Sequence, residues 1–381
     1  MRVSRRGDVA PFIVMDVMEA ARQAEVAGAD IVHMEVGQPS TPAPAPALAA
    51  LARAMESGPL GYTVSLGMPE LRRGIAGLYQ RWYGLDIDPE RVVVTAGSSA
   101  AFQLAFLSLF DAGEKVAIGD PGYPSYRNIL KALSLVPQAI ETTAEHRFQP
   151  VPETLPEDAA GLLVASPANP TGTMLDKSAL TALIRAAEAK GIAFISDEIY
   201  HGIQYGPRAV SALEVSDEVY VINSFSKYFS MTGWRIGWMV VPEAHIRRVE
   251  RLAANLFICA PHASQVAALA ALGAHEELAR NVETYAANRA LLLEGLGKAG
   301  FTDLAPPDGA FYLYADTAHL ASNSHDLSAE ILREAHVAVT PGLDFDPARG
   351  ARTLRFSYAG STERMQEGLL RLQRWYQARQ R

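Results

Sequence analysis

The sequence predicts an α/β protein: a large domain with a mainly parallel central sheet flanked by helices, plus a smaller α+β domain. Three observations predict it. Between Arg91 and Asn223, short continuous apolar runs alternate with longer segments of helical periodicity, as strands covered on both faces by helices require. From Phe311 onward the pattern changes to a strand, a helix, two strands and a final helix, which suits a second, mixed layer. The 381 residues, 49% hydrophobic and 20% charged, are enough for one large core and one smaller one.

The elements follow in order. Val14 to Ala27 reads as a short amphipathic helix and Ile31 to Glu35 as a strand. The proline run after Gly37 cannot be helical and is an extended arm or linker. A helix spans Ala47 to Ser57. Strands are expected at Val92 to Thr95, Lys115 to Gly119, Gly161 to Ala165, Ala193 to Ser196 and Val219 to Asn223. Helices are expected between them at Ser98 to Phe110, Tyr126 to Ala132 and Lys177 to Lys190. A long helical stretch runs from Glu243 to about Ala299. Strand Phe311 to Ala315, helix Leu327 to His336, strands Val337 to Thr340 and Thr353 to Tyr358, and a helix from Thr362 complete the chain. The expected layout is an N-terminal arm (1–46) joining the small domain, a large ligand-binding domain (47–280) and a small C-terminal domain (281–381).

Composition excludes several classes. A net charge of −8 argues against a polyanion such as nucleic acid as partner. The single Cys259 rules out an internal disulfide and a cysteine-based zinc site and fits a reducing, cytoplasmic setting. No signal-type apolar run follows the basic start, and no window reaches the length that spans a bilayer.

Open parallel sheets bind ligands outside the carboxyl ends of their strands, so the residues just after each strand carry the function. Gly97-Ser98-Ser99 opens an apolar helix there, where free N–H groups and the helix dipole suit a phosphate; taken alone, a plain serine N-cap is the stronger reading. Asn169-Pro170-Thr171-Gly172 is a turn whose amide is placed to donate to a ligand oxygen. Asp197 ends a buried strand, which demands a cationic partner or a helix N-cap role, with Tyr200 three residues on. Of the six lysines, Lys227 alone lies among Ser, Phe, Tyr and Met, where desolvation lowers an amine's pKa and makes it nucleophilic. Arg235 follows eight residues later, in reach of the same anion.

The stretch Ser224-Phe-Ser-Lys227-Tyr-Phe-Ser-Met-Thr-Gly233-Trp-Arg235-Ile-Gly237 resembles, position by position, the lysine-attachment signature of class I/II pyridoxal-phosphate-dependent aminotransferases. These are the aspartate-aminotransferase-like branch of fold type I. The order and spacing of Gly37, Tyr62, Gly97-Ser98-Ser99, Tyr123, Asn169, Asp197, Tyr200 and Arg355 agree with that family over nearly the whole chain.

The resemblance implies a role for each position and pyridoxal 5′-phosphate as the cofactor. Lys227 would form the imine with the cofactor and move the substrate proton. Asp197 would pair with the ring nitrogen, and Tyr200 and Asn169 with the 3-hydroxyl oxygen. Tyr123 would stack on the ring, although a core aromatic beside a Pro turn fits it equally without the family. Gly97, Ser98, Ser99, Ser224 and Arg235 would hold the phosphate, helped by Tyr62 of a neighbouring subunit in a homodimer. Arg355, with Asn169 and the Gly37 backbone, would clamp the substrate carboxylate.

The implied reaction is a ping-pong transfer of the α-amino group of an L-amino acid to a 2-oxo acid. Dicarboxylate-specific relatives often carry lysine after a Gly-Gly pair at the phosphate helix, where this chain has Ser99. A neutral, aromatic or aliphatic donor is therefore favoured over aspartate, with Phe12, Ile13 and Met15 of the arm as candidate pocket residues. C–S β-lyase and aminocyclopropane-carboxylate synthase chemistry share this fold and these residues. A non-catalytic regulator domain would need a DNA-binding segment that forty acidic-to-neutral residues cannot supply. A nicotinamide-binding oxidoreductase would need a Gly-x-Gly-x-x-Gly turn, which is absent.

Overall fold

The computed structural model describes residues 1–381. Its centre is a seven-stranded sheet in the order β2-β8-β7-β6-β5-β3-β4. The strands are β2 (Val92–Thr95), β3 (Lys115–Asp120), β4 (Val136–Glu141), β5 (Gly161–Ala165), β6 (Ala193–Asp197), β7 (Tyr220–Ser224) and β8 (Gly237–Val240). All run in one direction except β8, which pairs antiparallel with β2 and β7.

Period-two alternation splits the strands other than the edge strand β4 between two buried faces. Val92, Val94, Leu162, Val164, Val221 and Val240 enter one core cluster; Val93, Leu163, Ile195, Ile222 and Met239 enter the other. The helices covering the faces are α2 (Ala45–Ser57), α3 (Pro69–Tyr83), α4 (Gly97–Leu109), α5 (Pro124–Ala132), α6 (Lys177–Ala189), α7 (Ile246–Leu256) and α8 (His262–Ala271). Because β2, β3, β5, β6 and β7 share a direction, their carboxyl ends meet along one edge of the sheet.

The remainder is α+β. An antiparallel sheet β12-β13-β10-β9 is built from β9 (Asp303–Leu304), β10 (Tyr312–Asp316), β12 (Thr340–Pro341) and β13 (Thr353–Ser357). It packs with α9 (His275–Gly295), α10 (Ser324–Ala335) and α11 (Thr362–Arg379) around a third cluster that includes Phe301, Phe311, Phe356 and Leu372. The arm contributes α1 (Ile13–Val26) and β1 (Val32–His33), and β1 pairs parallel with β11 (Val337–Ala338). α9 runs unbroken through residue 280, with Leu278 in the first cluster and Tyr285 and Leu292 in the third.

Four features differ from the sequence reading. α3 carries Gly74 and Gly77, which lower its propensity, yet a Cβ at Gly74 would lie 2.7 Å from Leu272 Cδ1, so close helix packing uses the gap. β4 is an edge strand with Pro137 and an exposed, polar face, which hides its periodicity. The single helical stretch after Glu243 breaks into α7, α8 and α9 at Phe257–Pro261 and Leu272–Ala274. The strand expected at Val337 to Thr340 is two short strands in different sheets. No helix is long and apolar enough to cross a membrane.

Candidate active site

A cleft of about 290 Å³ opens at the carboxyl edge of the large sheet, between it and the smaller layer. Of the residues anticipated from sequence, Gly37, Ser98, Ser99, Tyr123, Asn169, Asp197, Tyr200, Lys227, Arg235 and Arg355 line it. They are spread over more than 300 positions of sequence, and only the shared strand direction brings them together.

Lys227 follows β7 and faces the cleft, its Nζ donating to the Gly37 carbonyl at 2.5 Å. Enclosure away from bulk water, aided by the positive Arg355 and Arg235, pulls its pKa from the usual lysine value down to about 7. No carboxylate forms an ion pair with it. Asp197 ends β6 and is 3% exposed. Its Oδ1 accepts the Ile199 N–H at 3.0 Å and its Oδ2 the Tyr126 hydroxyl. Burial raises its pKa to about 6, with those donors and Lys227 opposing the rise. Its N–H acceptor role is local, but α-helix does not follow it, so it caps no helix.

α4 begins at Gly97 with φ +76°, and no side chain caps it. Ser98 and Ser99 sit inside its first turn, so the serine N-cap reading gives way to an open helix end whose N–H groups point outward. A Cβ at Gly97 would come within 2.3 Å of Arg235 Nη2. Glycine is what lets the guanidinium lie against the helix start. Arg235 donates Nη1 to the Thr232 carbonyl at 3.0 Å and has no acidic partner.

Arg355, on β13, is 3% exposed. Its Nη1 donates to Asn169 Oδ1 at 2.8 Å and its Nη2 to the Glu35 carbonyl and Thr340 Oγ1. Its Cζ lies 4.4 Å from the Tyr312 ring centroid and 4.6 Å from that of Phe345. Its Nε has no partner, and no carboxylate pairs with it directly, Asp344 acting on it only through longer-range attraction. A buried, unpaired guanidinium is costly unless an anion joins it. Since Arg has only donors, Asn169 must accept through Oδ1, which leaves its amide N–H groups to the cleft.

Three anticipated residues do not line the cleft: Gly97, which sits beside Arg235 at the start of α4, and Ser224 and Tyr62. Ser224 is 1% exposed and does not line the cleft. Its Oγ is engaged with Ser226 Oγ at 2.9 Å and the Ile236 carbonyl at 3.1 Å, and it accepts the Ser226 N–H at 3.0 Å. The turn after β7 thus uses Ser224 internally and turns Ser226 to the cleft. Tyr62 is 82% exposed and outside the cleft of its own chain.

Sequence reasoning missed Tyr126, Ser226, Thr232 and Tyr312. Tyr312 shares a 2.7 Å hydroxyl contact with Tyr200 and would meet any Cβ at Gly37. Ser226 and Thr232 stood inside the signature stretch, and that proximity was the available signal. Nothing near Tyr126 in sequence points to Asp197, 71 positions away.

The free groups match one ligand's shape: an uncapped helix end with Arg235 for a phosphate, a buried carboxylate for a ring nitrogen, and a low-pKa lysine for an aldehyde. Arg355 is left over for a carboxylate. The residues present therefore fit pyridoxal phosphate. No group of three or more His, Cys, Asp or Glu side chains is placed to hold a metal.

Comparison with known proteins points the same way. The family model for aminotransferase class I and II matches residues 29–372. A valine–pyruvate aminotransferase of Mycobacterium tuberculosis is 46% identical over 98% of both chains. The crystal structure of an aminotransferase from the same organism superposes with a TM-score of 0.97 at 45% identity, covering 99% of this chain and 100% of that one. An aspartate aminotransferase from Thermus thermophilus, solved with maleate, superposes with a TM-score of 0.91 at 34% identity over 98% of this chain and 100% of its own. With the family model spanning most of the chain and the cleft built as its chemistry needs, the chain belongs to the class I and II aminotransferases, which use pyridoxal phosphate.

Proposed function

We propose that this aminotransferase takes the α-amino group from a neutral, apolar L-amino acid and passes it to a 2-oxo acid by two half-reactions at one site. The observation that carries the reading is the inventory of cations. Lys227, Arg235 and Arg355 are the only Lys or Arg side chains lining the cleft. Imine formation, phosphate and α-carboxylate use all three, and a second substrate carboxylate would find no cation of this chain. The other walls include Phe12, Val14, Met15 and Val36. The name of the 46% identical relative, valine–pyruvate aminotransferase, supports the same class of donor.

Pyridoxal phosphate, when bound, supplies an electron sink for the bond broken at the substrate Cα. The chain's residues do the rest. The first turn of α4, at Gly97, Ser98 and Ser99, binds the phosphate with Arg235, whose planar fork suits a dianion. Asp197 would hold the ring nitrogen, its carboxylate oriented by the Tyr126 hydroxyl and the Ile199 N–H. Tyr123 and Tyr200 line the cleft where the ring would sit, and the free Asn169 amide would donate to its oxygen. Arg355 grips the substrate carboxylate in a bidentate pair and so orients the Cα–H bond. Lys227 Nζ, with a pKa of about 7, is neutral often enough near neutral pH to accept that proton and to give it up again.

The active unit is proposed to be a homodimer. Tyr62 is 82% exposed, a large aromatic side chain left open to solvent in the single chain. From there it would reach the phosphate of the neighbouring subunit. A panel of twenty amino acids with pyruvate or 2-oxoglutarate tests the function. Apolar donors should exceed aspartate in kcat/KM; preference for aspartate, or release of ammonia in place of amine transfer, would overturn it.

A further inference from the structure

The arm's α1 starts without a cap of its own. Phe12 stands at its N-cap position and makes no side-chain hydrogen bond. The first N–H groups of a helix have no partner within the helix. Here the Ile13 N–H donates to Asp344 Oδ1 at 3.0 Å and the Val14 N–H to Asp344 Oδ2 at 3.3 Å, across 331 and 330 positions of sequence. Asp344 is 2% exposed, and its carboxylate has no ion pair and no other hydrogen-bond partner. Its charge also lies at the positive end of the helix dipole.

Asp344 is itself rigidly placed. Arg127 donates Nη2 to the Asp344 carbonyl at 2.8 Å and Nη1 to that of Phe345 at 3.1 Å. The Phe345 ring lies against the Arg355 guanidinium. The same short segment therefore touches the clamp and holds the start of α1. What it holds there is the apolar wall of the cleft, since Phe12, Val14 and Met15 all line it and Phe12 meets the Tyr123 ring edge-on at 5.9 Å.

We propose that Asp344 is a specificity-positioning residue: by capping α1 from outside the arm, it fixes Phe12, Val14 and Met15 as the surface against which the donor side chain packs. Asp344 does not touch the substrate. The inference rests on the apolar-donor reading above for its kinetic consequence, but not for its structural one. With the arm undocked, the carboxylate loses both N–H donors; burial works against its charged form, and only the longer-range attraction of Arg355 and Arg127 is left to oppose it. Because Arg127 keeps Asp344 in place through the backbone, undocking the arm leaves a fixed carboxylate without donors, which favours the docked arm.

The test uses the cofactor-loaded protein and two variants, Asp344→Ala and Asp344→Asn. Amide hydrogen exchange over residues 12–26 should rise at least tenfold in Asp344→Ala, while the large sheet keeps its protection. Asp344→Asn, which keeps one acceptor oxygen, should fall between the two. In kinetics, kcat with alanine should stay within about twofold. The ratio of kcat/KM for valine over alanine should drop about tenfold, mostly through KM, as the extra methyl groups lose their wall. Unchanged exchange in Asp344→Ala would overturn the proposal. Faster exchange with an unchanged valine-to-alanine ratio would overturn the specificity role. If the unaltered enzyme proves to prefer acidic donors, the donor reading fails, and the exchange result still decides whether Asp344 docks the arm.

Discussion

Arg355 donates to Asn169 at 2.8 Å across 186 positions of sequence, and the buried guanidinium forms no ion pair with any carboxylate of the chain. The pair is a socket for a carboxylate that the chain itself does not provide.

Replacing Arg355 by lysine keeps the charge and removes the fork. Arg355→Lys should raise KM for the amino donor and reduce kcat/KM on the order of 100-fold, as expected when a bidentate, orienting contact is lost. Steady-state kinetics with several donors checks this; unaltered constants for all of them would assign the clamp elsewhere.

Lys227 should be indispensable for turnover and unhelpful to stability. Its folded-state pKa of about 7 lies below the ordinary 10.5. Between those values the unfolded chain binds more protons than the folded one, so this group makes stability rise with pH from about 7 to 10. In cofactor-free protein, Lys227→Met should remove that component of the slope and abolish amine transfer while circular dichroism is unchanged. Denaturation curves at a series of pH values, compared between the two proteins, read the difference directly. The comparison matters because His33, raised to about 9 by its bond to Glu35, acts with the opposite sign in an overlapping window.

Gly97→Ala should damage the phosphate site more than the fold. The new methyl would meet Arg235 Nη2 at 2.3 Å, and φ of +76° disfavours any side chain. The expected result is a stability loss of about 1 kcal/mol and at least a tenfold weaker hold on the cofactor, seen as faster loss on dialysis. Retention equal to the unaltered enzyme would show that Arg235 does not need this approach.

Tyr126→Phe removes a donor to Asp197 and leaves a buried carboxylate with the Ile199 N–H alone. A net loss of about 1–3 kcal/mol is expected for one hydrogen bond to a charged group, with kcat lowered about tenfold. Asp197→Asn should cost far more, because the charge itself is gone; equal effects would place the function in the hydrogen bond.

The signature around Lys227 and the strand-end residues Asp197 and Asn169 were legible because a parallel sheet places such positions on one edge. Apolar runs such as Val92 to Val94 declared their strands for the same reason: both faces are covered. β4 and α3 were not legible, one being a polar edge strand with Pro137, the other a helix interrupted by two glycines, of which Gly74 makes room for Leu272. Tyr126 and Tyr312 escaped notice since their partners lie far away in sequence and only the tertiary fold joins them. Ser224 was assigned to the phosphate from the motif alone; which of two neighbouring serines faces outward is decided by the turn's own hydrogen bonds.

The central claim is that one site, built on Lys227, performs a half-reaction that stores the amino group. Cofactor-loaded protein mixed with L-valine and no acceptor measures this most directly. The account predicts one 2-oxo acid formed per subunit, with loss of the borohydride-sensitive visible absorbance, and its return when pyruvate is added. Continuous release of ammonia, or 2-oxo acid formation without any change in the cofactor's absorbance, would contradict it.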